Sequence, residues 1–161
     1  MHDPGRNVAR HLRAAATQTP DLTATLSPLS VSPQGRVVHA QCTFQQLDQE
    51  SDAAARVFHA QGIAQGTRVL LAVRPGHDLI VCMFGLLKLG AVPVAIDPGM
   101  GFQNYLNCVR HARPTALVAV RTAHWLSLLP FAAFQSLEHR VTVGSRHWRQ
   151  QLAQATSSDP R

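Results

Sequence analysis

Leu87-Lys88-Leu89-Gly90-Ala91-Val92-Pro93-Val94-Ala95-Ile96-Asp97-Pro98 decides how this chain is read. An apolar, helix-like run ends at Gly90, a residue suited to the left-handed turn that closes a helix. Ala91 to Ile96 is then continuously apolar, the pattern of a strand buried on both faces of a parallel sheet. Asp97-Pro98 turns the chain at the carboxyl end of that strand, where open α/β sheets bind ligands. On its residues alone the stretch is a packed helix–turn–strand unit, and nothing in it demands chemistry.

Working upstream, Asp78 to Leu89 has the length of a helix and is apolar nearly all round, which predicts a buried helix. Pro75 and Gly76 separate it from Val69-Leu70-Leu71-Ala72-Val73, a second buried-type strand entered through Gly66. Thr43 with Gln46 three residues later forms a capping box. The helix behind it carries Leu47, Ala54, Ala55, Val57 and Phe58 on one face and stops at Gly62. Earlier still, Asn7 caps a helix with Val8, Leu12 and Ala15 or Ala16 at helical spacing, ended by Pro20. Leu22 to Leu26 and Val37 to Cys42 read as short strands. Ser27 to Gly35, rich in serine and proline, reads as a loop.

Working downstream, Asp97 to Gly101 is a loop, Phe102 to Ala112 a helix and Thr115 to Val120 a third buried strand. Thr122 to Ala133 is helical in pattern but broken by Pro130. Val141-Thr142-Val143 is a further strand, and His147 to Ala155 a last short helix. From Thr43 onward, helices and strands alternate, which implies βαβ crossovers and a parallel sheet. The fold class expected is therefore α/β: a partial open sheet of largely parallel strands with flanking helices. Residues 1–155 form one incomplete unit, and 156–161 a polar tail without structural signal.

The composition bounds the function. Among 161 residues, 45% are apolar, enough to build a core, but only 15% are charged, below the usual quarter. That shortfall suggests surface meant to be covered. The net charge is +6, and every basic residue except Lys88 is an arginine. Arg6, Arg10 and Arg13 lie near the start, Arg110 and Arg113 in the middle, Arg140, Arg146 and Arg149 near the end. Such scatter, without interleaved aromatics, does not describe a nucleic-acid face. The three cysteines, Cys42, Cys82 and Cys108, form no Cys-x-x-Cys pair and fit a reducing, cytoplasmic setting. Cys82, inside an apolar run, reads as a buried small hydrophobe. Met1 to Gly5 lacks the apolar core of a signal peptide. Lys88, Gly90 and Pro93 interrupt the apolar stretch from Leu79 to Ile96, so no membrane span is expected.

Candidate chemistry is thin. Nine histidines include no His-x-x-x-His pair. Cys108 and His111 share a helix face, and Cys82 or His77 are conceivable further ligands, but a core or surface role is the expectation for all four. Asp78 and Asp97 read as helix-start and turn residues. Ser127, Ser136 and Ser145 have no nucleophile-elbow context. Gly99 and Gly101, ahead of a helix, are a weak anion-binding signal.

Three motifs in order carry a family resemblance. Thr43-Phe44-Gln45-Gln46-Leu47, then Gly62-Ile63-x-x-Gly66-x-Arg68-Val69, then Lys88-x-Gly90-Ala91 leading to Asp97-Pro98, resemble the early core of the adenylate-forming synthetases. That group includes the acyl-CoA synthetases, peptide-synthetase adenylation domains and luciferase-like enzymes. Val73-Arg74-Pro75-Gly76-x-Asp78 and Asp97-Pro98-Gly99-Met100-Gly101 look most like the branch of olefin-pathway β-lactone synthetases and fatty-acid ligases. The resemblance implies a large α/β domain, of which this chain is an N-terminal fragment. The intact enzyme would form an acyl-adenylate from a carboxylate and ATP with Mg²⁺. The family's Ser/Thr/Gly-rich loop ending in Pro-Lys-Gly has no counterpart here, nor do its later acidic motif and C-terminal lysine. No catalytic, cofactor-binding or metal-binding residue is therefore carried over. The chain is expected to be inactive alone and to bind no cofactor, with the remainder of the ligase or a complementary chain as its partner. The alternative is a non-catalytic α/β interaction module or one half of a split ligase.

Overall fold

A computed structural model of the chain describes residues 7–31 and 36–157. Six strands and six α-helices follow in the order α1 (Ala9–Gln18), β1 (Thr23–Val31), β2 (Val37–Thr43), α2 (Phe44–Ala60), β3 (Arg68–Ala72), α3 (His77–Lys88), β4 (Val92–Ala95), α4 (Phe102–Ala112), β5 (Ala116–Val120), α5 (Arg121–Ser127), β6 (His139–Val143) and α6 (Arg146–Ser157). Strands β3 to β6 form one parallel sheet in the order β4-β3-β5-β6, while β1 and β2 form a separate antiparallel ribbon. The α/β class with a largely parallel sheet and flanking helices is thus as expected.

Alternation along each strand divides the core into two layers. Val69 and Leu71 of β3, with Val118 of β5, face a cluster built with α2, α3 and α6, including Phe58, Leu86 and Trp148. Leu70 and Leu117 point the other way, onto Leu106, Val109, Phe134 and Leu137. The chain steps from β3 to β4 on one side, then returns past β3 to β5. This reversal places α3 and α4 on opposite faces and opens a crevice at the carboxyl ends of the strands.

Local chemistry explains why the motif residues sit where they do. The Thr43 hydroxyl accepts from the Gln46 amide at 3.2 Å while the Gln46 side chain accepts from the Thr43 amide at 2.9 Å, so the capping box is complete. Asn7 Oδ1 accepts from the Ala9 amide, serving as the cap of α1. The turns before β3 and β4 clasp each other: Gly66 N–H donates to the Gly90 carbonyl at 2.9 Å and Val92 N–H to the Thr67 carbonyl at 2.8 Å. Gly90 has φ +70° there, which only glycine adopts cheaply. At Gly85 a methyl group would lie 3.0 Å from the Ala54 methyl, so α2 and α3 cross closely on small residues.

Several expectations need correction. Residues 27–31, read as loop, belong to β1. Pro28 is tolerated because a two-stranded ribbon has open edges, and the register shifts between Pro28 and Ser30. Residues 32–35 of that loop lie outside the described residues. β4, read as a buried strand, is an edge strand with Val92 47% exposed. α3 buries Val81, Cys82, Gly85 and Leu86, and the rest of it is half-buried. The helix expected over Thr122 to Ala133 ends at Ser127 and resumes only as a single 3₁₀ turn at Ala132–Phe134. α6 continues through Ser157, two residues into the expected tail, and residues 158–161 lie outside the described residues. No helix among the described residues is long and apolar enough to cross a membrane.

Candidate functional site

The crevice at the carboxyl ends of β3, β4 and β5 holds a cavity of about 670 Å³, within the size range of small-molecule sites. Leu71 and Val73 come from β3 and the residue after it, Ile96 from the end of β4, Phe102 and Tyr105 from α4, and Val120 from β5. These side chains make its walls largely apolar. Burial pushes the Tyr105 phenol up, which keeps it neutral. The charged members are Arg74, exposed at the rim, and Asp97. Asp97 is committed, since its Oδ1 accepts from the Gly99 amide at 2.8 Å.

That last contact decides the anion reading of Gly99 and Gly101. An amide already capped by a carboxylate is a poor place for phosphate, because the incoming charge would face Asp97. Lys88 offers no alternative. Its Nζ donates to the Asp48 carbonyl and Asp48 Oδ1, each at 2.7 Å, and lies 2.8 Å from Asp52 Oδ1. All three ammonium donors are thereby used in tying α3 to α2, and the side chain is 9% exposed. Neither the Gly99 amide nor the Lys88 ammonium is therefore left open to an anion. What the crevice can do is receive an apolar body with Arg74 at its edge.

The remaining candidates disperse. Asp78 lies in the first turn of α3, and Asp97 caps the short 3₁₀ turn at Pro98–Met100, both as read. Ser127 and Ser136 donate to the carbonyls of His124 and Pro114, and Ser145 accepts from the Trp148 amide. All three hydroxyls serve the backbone. Cys82 is fully buried, and burial, with a smaller contribution from Asp78, pushes its thiol far up. The metal set entertained around Cys108 and His111 does not assemble. His111 Nδ1 instead contacts the Asn107 carbonyl at 2.7 Å, and Cys82 is locked in the core.

His77 does meet other potential ligands, but different ones. Cys42 at the end of β2, Glu50 of α2 and His77 of α3 bring one donor atom each to within 4.8 Å of the others. Glu50 was not singled out from the sequence, and Cys42 and His77 were not placed together there. The three lie on three separate elements, so no spacing could announce them.

The AMP-binding enzyme family model matches residues 12–160. The olefin β-lactone synthetase of Stenotrophomonas maltophilia is 34% identical over 142 residues, covering 87% of this chain and 26% of that protein. The enzyme of the same name from Xanthomonas campestris pv. campestris is 34% identical over 154 residues, covering 91% of this chain and 27% of that protein. A fatty acyl CoA synthetase from Mycobacterium tuberculosis superposes with a TM-score of 0.72 at 21% identity, over 98% of this chain and 29% of that one. The chain thus spans about a quarter of the length of the curated relatives it matches.

Proposed function

This chain belongs to the AMP-binding enzyme family, and from that premise we propose that it is the N-terminal segment of an acyl-adenylate-forming ligase, inactive without the rest of the enzyme. In the intact ligase a carboxylate oxygen attacks the α-phosphorus of ATP, pyrophosphate leaves, and the acyl-adenylate goes on to acyl transfer or ring closure. The likeness to olefin β-lactone synthetases favours a fatty or β-hydroxy acid as the carboxylate. Within that enzyme this segment supplies a scaffold and one apolar wall of a crevice. The phosphate-binding residues, with Mg²⁺, belong to the remainder or to a complementary chain.

One observation carries the reading: the single lysine of 161 residues, Lys88, is fully engaged by Asp48 and Asp52. Phosphate binding by a lysine therefore has to come from elsewhere. Exposed apolar side chains support a covering partner. Trp125 is 68% exposed and Leu128 65%, on and just after α5 beside the crevice. Three free cysteines suit a cytoplasmic, reducing compartment.

The test is ATP–pyrophosphate exchange with fatty and β-hydroxy acids. The purified chain is expected to give no exchange above a protein-free blank. Clear turnover by the chain alone would overturn the proposal.

A further inference from the structure

Cys42, Glu50 and His77 stand apart from the crevice, under the β1–β2 ribbon. Around them lies a second cavity of about 220 Å³, also lined by Thr25, Gln41 and Gln46. Cys42 is buried, whereas the side chains of His77 and Glu50 are 31% and 38% exposed, which leaves a way in from solvent. His77 Nε2 already touches Glu50 Oε2 at 2.5 Å. Thr25 Oγ1 is buried and makes no hydrogen bond of ordinary geometry among the described residues.

We propose that Cys42, Glu50 and His77 form a site for zinc or a metal of similar softness. One thiolate, one imidazole and one carboxylate are the three donor types that zinc takes. Zinc–ligand bonds of about 2.0–2.3 Å put tetrahedral donors roughly 3.3–3.8 Å apart. The present donors lie within 4.8 Å of one another, so small side-chain rotations that also part His77 from Glu50 would bring them to that spacing. The fourth position falls to water, for which Thr25 Oγ1 and Gln46 are neighbours in the cavity.

Protons compete with a metal for these donors. Burial, then the charge of Glu50, pushes the Cys42 thiol up, offset in part by the Thr25 hydroxyl. The Glu50 hydrogen bond raises His77 against the effect of burial, with Glu50 and Asp78 adding charge. Metal binding forms Zn–S, Zn–N and Zn–O bonds and releases the thiol proton, with any imidazolium proton, to solvent. It would pin the ribbon, α2 and α3 to one another. This proposal stands independently of the ligase reading, because it uses no residue of the crevice.

The purified chain, stripped with a chelator, is titrated with Co²⁺ and then with Zn²⁺ alone. A sulfur-to-cobalt charge-transfer band saturating at one equivalent, and displaced by Zn²⁺, is expected. Cys42→Ser should abolish the band, while Cys108→Ser keeps it. Glu50→Gln and His77→Ala should each weaken Zn²⁺ binding by at least the ~10–100-fold that even an outer hydrogen-bond partner is worth. Circular dichroism in chelator checks that each variant is folded. If Cys42→Ser is not, the two half-exposed positions decide. Absence of the band in the unmodified chain, its survival in folded Cys42→Ser, or unweakened binding in both Glu50→Gln and His77→Ala would overturn the site.

Discussion

The two faces of the parallel sheet differ in how far this chain finishes them. Under α2, α3 and α6, Phe58 and Trp148 stack with ring centroids 5.7 Å apart, both fully buried. The one lysine bolts α3 to α2 on the same side. On the opposite face α4, α5 and a 3₁₀ turn cover a smaller cluster and leave Trp125, Leu128 and Phe102 exposed, while the cavity of about 670 Å³ opens at the strand ends between the two, lined by Leu71 and Leu79 from one side and Tyr105 and Ala123 from the other. Side chains of the same kind are closed over on one face and open on the other. The difference teaches that covered and exposed apolar surfaces are set by position relative to the sheet, not by residue type. It also sets the expected scale of each mutation.

The closed face should break hardest at Trp148. Trp148→Ala removes the ring stacked on Phe58 and opens a cavity, at an expected cost of about 3–5 kcal/mol in chemical denaturation. Trp148→Phe should lose much less. It keeps an aromatic on Phe58 and removes an indole N–H that is buried without a partner among the described residues. Equal losses in the two variants would mean that the full volume of the indole, rather than the aromatic stack on Phe58, holds that site.

Lys88 comes next. Lys88→Met keeps the aliphatic stem but removes the ammonium that Asp48 and Asp52 share, leaving Asp52 to the exposed Arg13 at 3.4 Å. Removing one partner of a buried ion pair costs roughly 3 kcal/mol or more. The Asp48 and Asp52 side chains are 16% and 27% exposed, so water recovers part of that and ~2–3 kcal/mol is expected. The same denaturation measurement checks it, and adding Asp52→Asn should restore part of the loss. A Lys88→Met chain as stable as the original would show the clamp to be incidental and would reopen Lys88 to a role in binding.

Much of the closed face was legible because its signals are local. The Thr43–Gln46 box spans four residues, and the faces of α2 follow a 3.6-residue period through Leu47, Ala54 and Phe58. The runs at β3 and β5 announce strands covered on both sides. What local pattern does not encode is order within the sheet. Val92-Pro93-Val94 is as apolar as a central strand, yet β4 lies at the edge, and Pro93 was the one local hint. Pro28 misled in the opposite sense, because a bulge in a two-stranded ribbon accommodates a residue that ends a longer sheet. The partners of Lys88 are Asp48 and Asp52, four apart on one helix face. Acids at that spacing mark a face, but which cation it meets is settled only by the α2–α3 crossing. Cys42, Glu50 and His77 were beyond reach for the same reason, being joined solely by tertiary packing.

The smallest expected effect falls on the open face and completes the contrast. Trp125 is as large as Trp148 but 68% exposed. Trp125→Ser removes little burial, so the denaturation midpoint should move by no more than about 0.5 kcal/mol in stability. The consequence should show at the surface instead. Binding of an apolar dye, and any self-association seen by light scattering, should fall, because the exposed apolar patch of Trp125, Leu128 and Leu129 shrinks. A tryptophan whose loss leaves folding alone while reducing stickiness would support the proposed covering partner. A loss of stability approaching that of Trp148→Ala would instead place Trp125 in the core. The two faces would then be equally finished, and the argument for a covering partner would lose its principal support.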